Sequence, residues 1–256
     1  MRAAEHDNPR MARITRAQHV LPGALHHVFF RGNNRRRLFS YEGCYLKYLR
    51  ELERAARKYA CAIHWLSLMA NHGHLGVTPP SVEALSKMMA RVGQQFAVFR
   101  NESRAGTGKV FEERFRSKPV LDERYAARLG PYVELNPERA GIVGDLSAYR
   151  WSTYWLHVGR PELCRVPVSL WTPSSWWLSL GTDTESRAIR YRELVDACRA
   201  SGRAWTQDDE YRASVDEVES ASRPHTRRLE RPDGSRAAET LGGYARQFAR
   251  PSRERA

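Results

Sequence analysis

Two histidines stand two positions apart in "LSLMANHGHLGV" (66–77). In an extended strand, residues i and i+2 project from the same side, so His72 and His74 can offer both imidazoles to one cation. An isolated His-x-His pair also fits a strand with one packed and one exposed ring, so a third ligand and a reactive group must come from elsewhere. "PYVELNPERAGIV" (131–143) contains candidates for both. On a helix Tyr132 and Asn136, four positions apart, stack on one face. The Asn136 amide oxygen would complete a three-ligand set, with the Tyr132 phenol one turn away. A cation beside a phenol is the material of metal-assisted nucleophilic chemistry. Taken singly, each residue has a plainer reading: Tyr132 is one of 11 tyrosines, and Asn136 before Pro137 can simply end a helix.

The elements that must position these residues follow from hydrophobic periodicity. "LHHVFFRG" (25–32) reads as a strand that opens into the basic, turn-rich "NNRRR". Tyr45, Tyr48, Leu49, Leu52, Ala56 and Tyr59 recur at three- and four-residue steps and predict a helix. "CAIHWLSLM" (61–69) and "HLGVT" (74–78) are β-prone runs joined tightly at Ala70-Asn71. Val82, Leu85, Met88, Met89, Val92, Phe96 and Phe99 mark a second helix. "PVL" (119–121) is read as a fourth strand, and a third helix is expected from Asp122. Strand, helix, strand, strand, helix, strand is the order of a ferredoxin-like split βαβ unit, an α+β fold whose antiparallel sheet carries helices on one face and leaves the other for a ligand.

The charge is uneven. The chain of 256 residues has 42 Lys+Arg against 29 Asp+Glu, a net charge of +13. Residues 1–160 hold 26 of those bases and 14 of the acids, leaving +12, whereas 161–256 hold 16 and 15, leaving +1. A surplus confined to one region points to a polyanionic partner such as nucleic acid. Cys44, Cys61, Cys164 and Cys198 form no Cys-x-x-Cys pair, so neither a zinc ribbon nor a disulfide framework is suggested. The first 20 residues lack the apolar core of a signal peptide, and no run approaches the ~18 apolar residues of a membrane span; a cytoplasmic protein is expected. From about residue 161 the character changes: "PVSLWTPSSWW" is Pro- and Trp-rich, "SRAIRYRELVDACRA" predicts a helix, and "SRPHTRRLERPDGSR" reads as a solvated basic tail. Trp151, Tyr154, Trp171, Trp176 and Trp177 are expected mostly to pin this extension onto the preceding domain.

Five blocks, "RGNN" (31–34), "LMANHGHL" (68–75), "FEERFRSK" (111–118), "YVELNPERAGIV" (132–143) and "YRWSTY" (149–154), occur in the order and approximate spacing of one family. The chain resembles the REP-associated tyrosine transposases, single-tyrosine members of the HUH endonuclease and transposase superfamily, over about residues 13–160. The resemblance implies an HUH-type domain there, with 161–256 as a helical, basic extension. It implies that His72 and His74 are the paired metal ligands, Asn136 the third, and Tyr132 the nucleophile. The implied substrate is single-stranded DNA near a hairpin, cleaved to a 5′-phosphotyrosine and a 3′-hydroxyl, and the implied cofactor is a divalent cation, Mg2+ or Mn2+. Tyrosine's ordinary pKa is ~10, so a cation on the scissile phosphate would supply the activation that the phenol lacks at neutral pH.

The basic positions Arg31, Arg35, Arg114, Arg116 and Lys118, with the amides Asn33 and Asn34, are the expected DNA contacts; each also reads as a solvated loop residue. Two features depart from the family pattern. The position between the ligand histidines, ordinarily bulky and apolar, is Gly73, which predicts a loosened strand. Gly130-Pro131 precedes the phenol, which predicts a helix that breaks near Gly130 and restarts at Pro131. These departures motivate an alternative, a domesticated module that binds hairpin DNA without cutting it.

Overall fold

A computed structural model describes residues 20–120 and 123–200, with the side chains of 123–125 left aside. Its strands are β1 (His26–Arg31), β2 (Ala62–Met69), β3 (His72–Thr78) and β4 (Arg116–Pro119). They form one antiparallel sheet in the order β2-β3-β1-β4. Helices α1 (Glu42–Lys58) and α2 (Val82–Glu102) occupy the two crossovers, giving the expected ferredoxin-like α+β topology. The Ala70-Asn71 link is a two-residue hairpin connection, with Met69 paired to His72. The fourth strand lies upstream of the expected "PVL": it comprises residues 116–119, with Pro119 at its end on the sheet edge, where a missing N–H is tolerated.

The pleat sorts the side chains. Val28, Phe30, Leu66, Leu68, Leu75 and Val77 join the core formed with Tyr48, Leu49 and Leu52 of α1 and Leu85, Met88, Val92 and Phe96 of α2. His27, Phe29, Arg31, His72 and His74 alternate with those core residues and therefore point to the opposite face.

That second face is covered on its β2 side by α3 (Glu123–Arg139), which packs on β2 and β3. Helix α3 runs without interruption through Pro131 and Pro137, so the expected break at Gly130 does not occur, and Asn136-Pro137 does not end the helix. The physical reason lies at Gly130. A Cβ there would stand 2.4 Å from Trp65 Nε1 and 3.0 Å from the Tyr191 hydroxyl, so the glycine serves close helix-to-sheet approach instead of a turn.

Gly73 is explained in the same way. A Cβ at this position would lie 2.4 Å from Phe30 Cζ and 3.1 Å from Leu68 Cδ2. The Phe30 ring, stacked on Tyr48 at 4.9 Å, fills the space that a side chain at 73 would take. β3 is continuous, and Gly73 pairs regularly with Phe30 and Leu68, the one irregularity of the β2–β3 ladder falling between Ile63 and Trp65, so the expected loosening is not found.

The segment after α3 closes the β2 edge. Leu68 N–H donates to the Trp151 carbonyl at 3.0 Å, Thr153 N–H to the Leu66 carbonyl at 2.9 Å and Thr172 N–H to the Ile63 carbonyl at 2.7 Å. These bonds occupy backbone groups that an uncovered edge strand would leave unpaired. Short helices α4 (Tyr154–His157) and α5 (Ser175–Ser179) and the longer α6 (Thr184–Ala200) complete a second core of Leu135, Leu146, Tyr149, Val158, Trp177, Tyr191 and Val195. Trp171 Nε1 donates to the His64 carbonyl at 3.1 Å, and the Trp176 ring lies 6.1 Å from that of Trp65, so both have the pinning role expected of them. The basic tail "SRPHTRRLERPDGSR" lies outside the described residues.

Because the Phe30 ring is buried and stacked, it cannot swing aside for a side chain at 73. Gly73→Val is expected to lower unfolding free energy by about 1–3 kcal/mol through overpacking, and Gly73→Val with Phe30→Ala to be less than additive, both read by denaturant titration.

Candidate metal and nucleophile site

Register places Phe29 opposite His74 and Arg31 opposite His72. The rings of His72 and His74 lie 5.3 Å apart at 77°, on one face as the spacing predicts. Each is held through Nδ1. His72 Nδ1 is 2.6 Å from Asn71 Oδ1, while Asn71 Nδ2 donates to the Arg35 carbonyl at 3.3 Å. A carbonyl only accepts, so the Asn71 amide is oriented with its oxygen toward His72, and His72 must donate from Nδ1. Its Nε2 is then the lone-pair nitrogen.

His74 is engaged from the other side. His74 Nδ1 and His27 Nε2 are 2.9 Å apart, and the two rings stack at 5.2 Å. His74 Nε2 is buried with no hydrogen-bond partner in the structure. A buried polar nitrogen without a partner is costly, and a divalent cation fits an imidazole whose other nitrogen is already bonded. Burial, reinforced by Arg31, holds His72 down to about 4; burial, with Lys118, does the same to His27. Burial also holds His74 well below the ordinary imidazole range, with His27, His72 and Arg31 adding to it. The three rings are therefore neutral at pH 7, the form in which imidazole binds metal.

Tyr132 reaches this site from α3. Its ring centroid is 6.3 Å from that of His74 and 6.4 Å from that of His27, edge-on to both, and the residue is 8% exposed. The Arg139 guanidinium lies 5.2 Å over the Tyr132 ring. Tyr132, Asn136 and Arg139 thus share one stripe of the helix at i, i+4 and i+7. Asn136 is half-buried one turn beyond Tyr132, and its Nδ2 donates to the Val133 carbonyl at 3.4 Å. Among the described residues no group of three or more His, Cys, Asp or Glu could hold a metal ion. A site at the two histidines accordingly needs a ligand of another type, and the Asn136 amide is of that type.

The basic residues separate into two groups. Arg116 and Lys118 pair with Phe29 and His27 in the β1–β4 ladder, so they stand on the histidine face together with Arg31. Arg116 is paired to Glu113 and Arg31 to Glu112 at 3.9 Å. Asn33, Asn34 and Arg35 form a single 3-10 turn at the end of β1, in which Asn34 and Arg35 have φ of 51° and 56°. Arg114 is exposed in the loop before β4 and belongs to no described contact of the site. Sequence reasoning overlooked His27, Asn71 and Arg139. His27 alternates with Phe29 and Arg31, and Arg139 continues the Tyr132–Asn136 stripe, so both signals were available; the Asn71 link depends on the loop fold and was not.

Residues 22–136 match the family model described as Transposase IS200 like. The matched segment contains His72, His74, Tyr132 and Asn136. Among solved structures, a REP-associated tyrosine transposase bound to a REP hairpin matches with a TM-score of 0.50 and 18% identity, covering 64% of this chain and 93% of that one. At this identity the likeness is one of fold. Among curated proteins none matches the chain. No helix of the described residues is long and apolar enough to cross a membrane.

Gly130→Ala tests the close approach of α3 to the sheet. Helix propensity alone would favour alanine by about 1 kcal/mol. The 2.4 Å approach to Trp65 opposes this with an overpacking cost of about 1–3 kcal/mol. Net destabilisation is expected, measured by thermal and denaturant unfolding.

Proposed function

We propose that this protein is a metal-dependent, tyrosine-mediated endonuclease and strand transferase acting on single-stranded or hairpin DNA. The observation that carries the reading is the approach of the Tyr132 ring to His74, on the sheet face that also carries His72, with Asn136 one helical turn further along. The family match over residues 22–136 supports it, as does the fold shared with a transposase whose solved structure is bound to a REP hairpin.

His72 and His74 would hold a divalent cation through Nε2, with the Asn136 oxygen as third ligand. When bound, Mg2+ or Mn2+ would polarise a phosphoryl oxygen and neutralise charge that develops in the transition state. The chain's own groups do the rest. Asn71 and His27 engage the two imidazoles through Nδ1, which leaves each Nε2 for the cation. Arg31, Arg116 and Lys118, on the same face, attract and orient the phosphate backbone. Arg139 over the Tyr132 ring favours negative charge on the phenol oxygen as its proton leaves to solvent. The phenol oxygen forms a bond to phosphorus as the bond from phosphorus to the 3′ oxygen breaks. The products are a 5′-phosphotyrosine and a 3′-hydroxyl that takes up a proton. The phosphotyrosine conserves the bond energy for rejoining, so no nucleotide cofactor is required.

Incubation with a hairpin-tipped oligonucleotide and Mn2+ is expected to give a denaturation-resistant protein–DNA adduct that Tyr132→Phe abolishes. His72→Ala and His74→Ala are each expected to weaken Mn2+ binding by on the order of 10–100-fold in calorimetry. Tight hairpin binding with no adduct at any metal concentration would instead make the protein a binding module without nuclease activity.

A further inference from the structure

Two residues beyond Tyr132 on α3 stands Glu134, 0% exposed, at the centre of a buried hydrogen-bond network. Its Oε1 accepts from the Thr153 hydroxyl at 2.7 Å and lies 2.9 Å from His157 Nδ1, while Oε2 accepts from the Tyr191 hydroxyl at 2.8 Å. Thr153, His157 and Tyr191 are also fully buried. Proton positions follow from the partners. Trp171 Nε1, which only donates, is 3.3 Å from His157 Nε2, so that nitrogen accepts and Nδ1 carries the hydrogen aimed at Glu134. Thr153 Oγ1 accepts from Leu66 N–H at 2.9 Å, leaving its own hydrogen for the carboxylate. One carboxylate thus ties α3 to strand β2, to helix α4 and to helix α6.

The geometry gives this network a task. At 100° per residue, Glu134 lies about 200° around the helix from Tyr132, so the pinned side of α3 is nearly opposite the side that faces the histidines. Glu138, one turn beyond Glu134, adds a second tie through Arg199, whose Nε and Nη2 lie 2.8 Å and 3.2 Å from its two oxygens. Both ties fix how α3 is turned about its own axis. A rotation of ~10° would carry a tyrosine hydroxyl, roughly 9 Å from that axis, through about 1.5 Å. Displacements of that size at a reacting atom cost on the order of 10²-fold in rate.

We propose that Glu134 is a positioning residue for Tyr132 and that the chain following α3, through Thr153, His157 and Tyr191, sets the rotation of the nucleophile helix. This rests on the reading of Tyr132 as nucleophile. The network leaves the histidines and the basic face untouched, so its loss should affect the chemical step and not hairpin binding. The test uses the full chain, a hairpin-tipped oligonucleotide and Mn2+, with Glu134→Gln and Tyr191→Phe compared to the native protein. Single-turnover adduct formation is expected to fall on the order of 10²-fold in Glu134→Gln and by a smaller factor in Tyr191→Phe, with the hairpin dissociation constant within about twofold of native in both. Tyr191→Phe keeps the ring that stacks on His157 at 4.7 Å and decides the matter if Glu134→Gln fails to fold. Native adduct rates in the folded variants, or binding and rate falling in parallel, would overturn the proposal. Absence of an adduct in the native protein would refute the nuclease reading itself.

Discussion

The arrangement depends on how closely α3 can approach the sheet. A helix of ordinary composition would stand off β2 by the thickness of its side chains, and the stripe bearing Tyr132 would be carried away from β3. Gly130 removes one such side chain where the Trp65 indole and the Tyr191 hydroxyl already occupy the space. The phenol consequently comes within ring-contact distance of His74 and His27. The helix tolerates Pro131 in its interior because strand contacts and the second core hold it along its length. Tertiary packing here outweighs a local preference of about 3 kcal/mol.

Gly73 and Gly130 obey one rule. In each case the glycine leaves a space, and a large aromatic ring from a neighbouring strand, Phe30 or Trp65, fills it. Such an exchange keeps the interior close-packed while moving volume from one chain segment to another. The two departures that suggested a weakened scaffold are therefore compensated at the level of packing.

Electrostatics on the open side follow from the same layout. Burial keeps His27, His72 and His74 neutral, so the positive charge of this face comes from Arg31, Arg116 and Lys118, which border the histidines. In the proposed function, the neutral nitrogen donors would serve the metal ion and the bordering cations the phosphate. A ring of carboxylates would hold the metal more tightly but repel the phosphate. The fully buried carboxylate of Glu134 lies on the side of α3 nearly opposite Tyr132, away from the histidines.

Much of this was legible in the sequence because it is local. Alternation of two placed His72 and His74 together, a spacing of four placed Tyr132 and Asn136 together, and the order of apolar runs specified the split βαβ topology. The misreadings arose at residues whose meaning depends on distant partners. Glycine and proline carry strong local signals, and those signals suggested a loose strand and a broken helix; Phe30, Trp65 and Tyr191, remote in sequence, decided otherwise. His27 behind His74, Asn71 linking the basic turn to His72, and Glu134 gathering three donors are likewise contacts across 19 to 57 positions. The sequence by itself determined which side chains share a face, since backbone geometry repeats every two or 3.6 residues. Only the tertiary structure decided how near those faces come, because that distance is set by the volumes of side chains from several elements packed at once.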